Sequence, residues 1–384
     1  MDSHTHPRKQ TAQGKEATGR VLFSNEDTDF LVVWRMDRRP HGLLRYLVRP
    51  RTCQRVGELM EVDMLPSRAP RPAHLRLAEE ARLVSLLAHP AIARVYGLHE
   101  SEGKAFLLKE HVEGCNLDTI INLGLLRGRR MSESFSLYVA SEVAGALHCA
   151  HTARDEEGRA LGLLHRSVNP GCIRVGRNGG VKLTDFASAY SLLPGRLRTP
   201  KGLVRGEIDY AAPERLLRRD KGVVDARADI FSLGVVLLEL LTGSSLYDLE
   251  AVEQAAREAR RTLKTRAGAS SELPSWAPVG EMARLAASFH PEHVEAAMRD
   301  VSAPVRALLH QALRRDPAER YATAAEFQAD LQACLRAPRR KPYGPEQAAR
   351  ELLVARTEAE ASPERENAGL LEWGIFPEDV PRHS

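Results

Sequence analysis

The stretch from Asp229 to Thr242 constrains this chain more than any other. It is apolar nearly all round, the pattern of a helix buried on every side, so it requires an enclosing layer of other helices. Its apolar centre, Phe231 to Leu241, is broken by Ser232 and Glu239 and falls short of the ~20 apolar residues of a membrane span. The segment is therefore expected at the heart of a globular domain. A chain of 384 residues, 43% hydrophobic and 28% charged, has the length and composition to build one.

The rest of the sequence divides by periodicity. Residues 1–19 are polar and aperiodic and are expected to be a disordered tail. From Arg20 to Glu113 short β-rich runs dominate: Phe30 to Trp34, Tyr46 to Val48, Leu59 to Leu65 and Phe106 to Leu108. One helix, predicted over His74 to Ala88, interrupts them. Beyond Gly114 the pattern turns helical, with Met131 to His151 amphipathic behind a Ser132 N-cap, and helices continue to about Leu335. A β-rich segment over 20–114 followed by a helical one over 115–337 is α+β organisation. Residues 338–384 form a separate tail. Within it Glu346 to Glu360 favours a helix, and Leu370 to Pro377 presents Trp373 and Phe376. This tail either packs back on the helical segment or offers those aromatics to a protein partner.

Charge and cysteine usage exclude several functions. The net charge of +4, from 55 basic and 51 acidic residues, is too balanced for a nucleic-acid partner. Cys53, Cys115, Cys149, Cys172 and Cys334 form no C-x-x-C pair, which argues against a zinc site or a disulfide framework. The polar N-terminus lacks the apolar centre of a secretion signal. The expectation is a cytoplasmic protein with no membrane or nucleic-acid partner.

Five short motifs then follow in order. Gly162-Leu163-Leu164-His165-Arg166-Ser167-Val168-Asn169-Pro170-Gly171-Cys172-Ile173 is followed by Lys182-Leu183-Thr184-Asp185-Phe186-Ala187. Next come Tyr210-Ala211-Ala212-Pro213-Glu214, Asp229-Ile230-Phe231-Ser232-Leu233-Gly234 and Arg315-Asp316-Pro317-Ala318-Glu319-Arg320. This series resembles the eukaryotic-type Ser/Thr protein kinases, and Ala150-His151 to Gly162 resembles their bacterial branch. The resemblance spans roughly Phe30 to Leu335. It implies a bilobal fold, with a small β-rich N-lobe and a larger helical C-lobe, and a buried Glu214–Arg320 ion pair.

The same resemblance implies a disarmed active centre. Ser167 stands where the family has its catalytic Asp, Cys172 where it has a metal-binding Asn, and Asn169 where it commonly has a Lys. Asp185 keeps the other metal-binding position. Glu80 matches the Glu of the N-lobe helix. For its partner, the Lys that grips ATP, two positions compete. Arg49 lies too far from Glu80, whereas Asp63 has the family's spacing and is preferred. Asp63 would repel Glu80 and phosphate, or else point to solvent with nothing bound. The ATP-pocket positions fall on Gly42, Val48, Lys109, Glu110 and Val112, with only Gly42 left of the glycine-rich loop and the cation Lys109 crowding the adenine site. Arg166 would await an anionic group such as phosphorylated Thr199. Asp185 without metal would serve as a loop cap.

A pseudokinase acting on a protein partner is the reading these replacements imply. It requires no cofactor. An atypical low-activity kinase using ATP and magnesium, or a sensor binding nucleotide without magnesium, are its rivals.

Overall fold

Alternation in Met60-Glu61-Val62-Asp63-Met64 gives one strand two chemically different faces, and this strand organises the first compact unit of the chain. The computed structural model describes residues 19–38, 43–196, 206–217, 225–243, 295, 298–338 and 340–361. The expected tail 1–19, but for Gly19, together with Gly42, Thr199, Trp373 and Phe376, lies outside them.

Among the described residues two compact units separate: 19–81 with 94–111, and 82–93 with 112–361. The first holds a six-stranded antiparallel sheet: β1 (Val21–Asn25), β2 (Thr28–Arg38), β3 (Leu44–Arg51), β4 (Met60–Leu65), β5 (Val95–Ser101) and β6 (Lys104–Glu110), in the order β1-β2-β3-β4-β6-β5. On one face Tyr46, Val48, Val62, Met64 and Leu108 pack with Phe30 and Val32. Phe23 stacks between Phe30 and Phe106, at 4.4 and 4.3 Å between ring centroids, which explains why the unforeseen strand β1 joins the sheet. The other face carries Leu65, Ala105 and Leu107 against Leu77 of helix α1 (Arg71–Ser85), and beside them a charged group described below.

Helix α1 starts and stops three residues before the predicted span. Pro72 is tolerated in a first turn, which lets the helix begin at Arg71. Pro90 disfavours helical backbone at His89, and the helix has already ended at Ser85.

The second unit contains a small sheet, β7 (Gly114–Asn116), β8 (Ile173–Gly176) and β9 (Val181–Leu183). Its described α-helices are α2 (Leu117–Leu126), α3 (Glu133–Thr152), α4 (Pro213–Leu217), α5 (Arg227–Thr242), α6 (Ala303–Ala312), α7 (Ala324–Leu335) and α8 (Pro345–Glu360). Ser132 caps α3 as predicted, its hydroxyl accepting from the Phe135 N–H. Helix α5 is buried from Ala228 through Leu238, with Gly243 closing it in the left-handed conformation. None of the described helices is long and apolar enough to cross a membrane.

The expected Glu214–Arg320 pair is present. Arg320 donates to both Glu214 oxygens at 2.8 Å, and its guanidinium lies over the Phe231 ring. Glu214→Ala leaves that buried guanidinium uncompensated, and urea denaturation is expected to show a loss of ~3–5 kcal/mol.

Candidate active site

Asp229, in the first turn of α5, organises the catalytic-loop region. Its buried carboxylate accepts the His165 and Arg166 backbone N–H groups, each at 2.8 Å, and meets His151 Nε2 at 2.9 Å. Burial alone would raise its pKa. The hydrogen bonds from His151 and the Arg166 N–H outweigh that and hold it at about 2.

These bonds sustain a left-handed backbone at Arg166 (φ 64), a conformation unfavourable for a non-glycine residue. Arg215 adds a 2.6 Å bond to the Arg166 carbonyl. The Arg166 guanidinium lies over the Tyr190 ring at 4.3 Å, so in this structure it contacts an aromatic face where the resemblance implied an anion.

His165 is fully buried. Its Nε2 donates to the Thr184 carbonyl at 3.0 Å and its Nδ1 accepts the Ser167 N–H at 3.2 Å, which defines the tautomer. Burial holds this imidazole below its ordinary pKa and therefore neutral. Phe186 meets it edge-on at 4.6 Å. The scaffold of the motif is thus assembled.

The positions that would perform chemistry are bound to one another. Asn169 Nδ2 donates to the Ser167 carbonyl at 2.7 Å, to Ser167 Oγ at 3.3 Å and to Cys172 Sγ at 3.2 Å. Three sequence-predicted residues therefore meet, but as a hydroxyl, an amide and a thiol. None is a proton acceptor comparable to a carboxylate. Gly206 (φ 85) closes on this group: a Cβ there would stand 2.3 Å from the Arg166 carbonyl oxygen and about 3 Å from the Ser167 side chain.

The family's magnesium ions need hard oxygen donors. Cys172 offers a soft sulfur already accepting the Asn169 amide. Asp185 adopts a left-handed backbone (φ 59, ψ 63) ahead of the turn Phe186–Ser188, and its side chain makes no capping bond to that turn. Among the described residues no cluster of three or more His, Cys, Asp or Glu could hold a metal ion. This donor set does not fit a magnesium pair.

The first unit shows what surrounds Asp63, the position preferred for the ATP-gripping lysine. In register, Asp63 lies between Arg45 of β3 and Leu107 of β6, on the face shared with α1. Arg45, Glu61, Asp63 and Lys109 are only 6, 5, 2 and 7% exposed. Arg45 grips Asp63 with Nε at 2.6 Å and a terminal nitrogen at 2.9 Å, and Lys109 Nζ forms a direct ion pair with the same carboxylate. Glu61 lies 3.9 Å from Arg45 and 3.2 Å from His111 Nδ1.

Asp63 therefore neither points to solvent nor stands as an unopposed negative charge. Two cations neutralise it, because an isolated buried carboxylate would be prohibitively desolvated. Lys109 meets Asp63, which gives the predicted gatekeeper cation a structural partner. Arg45 and Glu61 escaped sequence reading; cross-strand register, invisible in one strand's pattern, was the missing signal.

The remaining predicted positions disperse. Val48 belongs to the opposite, apolar face of the sheet, since the pleat turns it away from Arg45, Glu61 and Asp63; Leu47 has the face assigned to Val48. The Glu110 carboxylate accepts the Arg94 N–H, and the Val112 carbonyl accepts from Arg174. Glu80 of α1 is buried.

Comparison with known proteins agrees with the motif series. The protein kinase domain model matches residues 64–331, beginning just after Asp63. PknA of Mycobacterium tuberculosis, a serine/threonine-protein kinase, is 32% identical over 75% of this chain and 58% of its own length. PknB of Mycolicibacterium smegmatis, also a serine/threonine-protein kinase, is 31% identical over 67% and 35%. The tyrosine-protein kinase MasK of Myxococcus xanthus is 35% identical over 47% and 27%. The chain thus spans less than two thirds of the relatives it matches. An α+β fold, the five motifs in order and the Asp229-centred catalytic loop place the chain in the protein kinase family, alongside bacterial serine/threonine kinases.

Proposed function

We propose that this chain is a pseudokinase: a kinase fold that works in signalling by engaging a protein partner, without transferring phosphate. The observation that carries this reading is the Ser167–Asn169–Cys172 group, where an amide bridges the two positions that in the active family supply the proton acceptor and a metal ligand. Loss of a positioned acid–base group lowers a rate ~10²–10⁴-fold, and loss of a metal ligand adds to that. The Arg45–Asp63–Lys109 cluster supports the same reading, since its two cations are committed to Asp63. On this reading the protein needs neither ATP nor magnesium.

One observation favours a second reading, a slow atypical kinase: Asp185 and the complete loop scaffold around His165 persist. Melting the purified chain with ATP, with and without magnesium, separates the possibilities. The pseudokinase reading predicts no shift in either condition. A shift with ATP alone indicates a nucleotide sensor, and a shift that requires magnesium indicates the atypical kinase.

A further inference from the structure

Helix α8 lies beyond the matched kinase domain and sits on the α2–α3 region of the same unit. Its buried residues are Ala348, Leu352, Ala355 and Ala359. Three alanines and one leucine bury little apolar surface, so polar contacts decide how firmly this helix is seated.

Two carboxylates of α8 supply those contacts. Glu351 accepts the Ser132 N–H at 2.5 Å, the Ser132 hydroxyl at 2.7 Å and the Tyr343 hydroxyl at 2.6 Å. Glu358 pairs with Arg127 at 3.1 Å and with Arg129 at 2.8 Å. Every loop partner of these two clamps comes from the six-residue connection between α2 and α3, Arg127-Gly128-Arg129-Arg130-Met131-Ser132. Within it Ser132 is exposed, and its hydroxyl follows three arginines. A kinase with acidic groups along its substrate groove would bind such a segment by charge.

We propose that Ser132 is a phosphorylation site whose modification, by a separate arginine-directed Ser/Thr protein kinase using ATP, releases α8 from the α2–α3 loop. Ser132 Oγ bonds to the γ-phosphorus, the bond from that phosphorus to the bridging oxygen breaks, ADP leaves, and the hydroxyl proton passes to the modifying kinase. The product carries a charge of about −1.5 to −2 where Glu351 now accepts a hydrogen bond. Glu351 loses a donor and gains a repelling neighbour. The phosphate is itself well placed at the N-terminus of α3, which favours anions. It also draws Arg127 and Arg129, the partners of Glu358. One event thus opens both clamps, while Glu133, the next residue, remains tied to Ser302 and Arg340.

The test treats the full chain with a purified arginine-directed Ser/Thr kinase and magnesium ATP, maps the phosphate by mass spectrometry, and follows amide exchange across 345–360. Phosphate at Ser132 with exchange in α8 accelerated at least about tenfold, and α3 unchanged, is the expected result. Glu351→Lys should invert the response: fast exchange before modification and slower after it, as a lysine finds the phosphate. Absence of phosphate at Ser132, unchanged exchange after its modification, or acceleration in Glu351→Lys as in the parent would overturn the proposal.

Discussion

Replacing Asp63 by lysine, the residue that the resemblance puts at this position, is expected to unfold the first unit instead of reviving a nucleotide site. Asp63 is the shared anion of Arg45 and Lys109. With it gone, Arg45 and Lys109 lose their shared anion, and the new lysine adds a third buried cation. Breaking one buried pair costs ~3–5 kcal/mol, and the substitution breaks two while adding repulsion. A domain holds only ~5–15 kcal/mol in total, so most of the unit's stability is at stake. Urea denaturation followed by the fluorescence of Trp34, on β2, reads this directly. The triple change Arg45→Leu, Asp63→Leu, Lys109→Met should recover most of the loss, because well-packed apolar residues often replace a buried ionic group without penalty. A lysine variant as stable as the parent would show that the cluster does not hold the sheet together.

Asp229→Ala is the second large effect. It orphans two backbone N–H groups and His151 in the buried interior, each worth ~1–3 kcal/mol when left unsatisfied, and it removes the bonds that hold Arg166 left-handed. A loss on the order of 4 kcal/mol is expected at pH 7. The same carboxylate leaves a signature in acid. Its folded pKa, about 2, lies below its ordinary value of 3.8, so its contribution is fully present above 3.8 and disappears as pH falls toward 2. The difference is worth roughly 2 kcal/mol. His165 acts earlier. Burial lowers its pKa from 6.5, so the unfolded chain takes up a proton first and stability begins to fall as pH drops below 6.5. Denaturation midpoints across pH should therefore show two acid steps in the parent and loss of the lower one in Asp229→Ala.

Much of the fold was readable because motifs carry their own geometry. The all-apolar segment at α5 could only be central, and Ser132 advertised the start of α3. The Glu214–Arg320 pair followed from two motifs far apart in sequence. Strands β1 and β5 were missed. Strand β1 spans only five residues and holds its place through Phe23, whose stacking partners lie in other strands.

At the candidate site the replaced residues were legible one at a time, but their environments were not. Alternation in β4 marks Glu61 and Asp63 as a polar face, and a polar face ordinarily means solvent. Only the cross-strand register, which sets Arg45 opposite Asp63 and Lys109 opposite Glu61, turns that face into a buried, self-neutralised cluster. The position of Val48 failed for the complementary reason. A one-residue offset in a strand reverses the face, and no motif fixed the phase of β3.

The claim beneath all of this is that the catalytic loop retains its scaffold and has lost its chemistry. Transfer of radiolabelled phosphate from ATP, by the purified chain and by Asp185→Ala side by side, tests it most directly. The account predicts that the two give the same background signal, on the chain itself and on an added protein substrate. Steady incorporation at an ordinary kinase rate by the parent, abolished in Asp185→Ala, would contradict it.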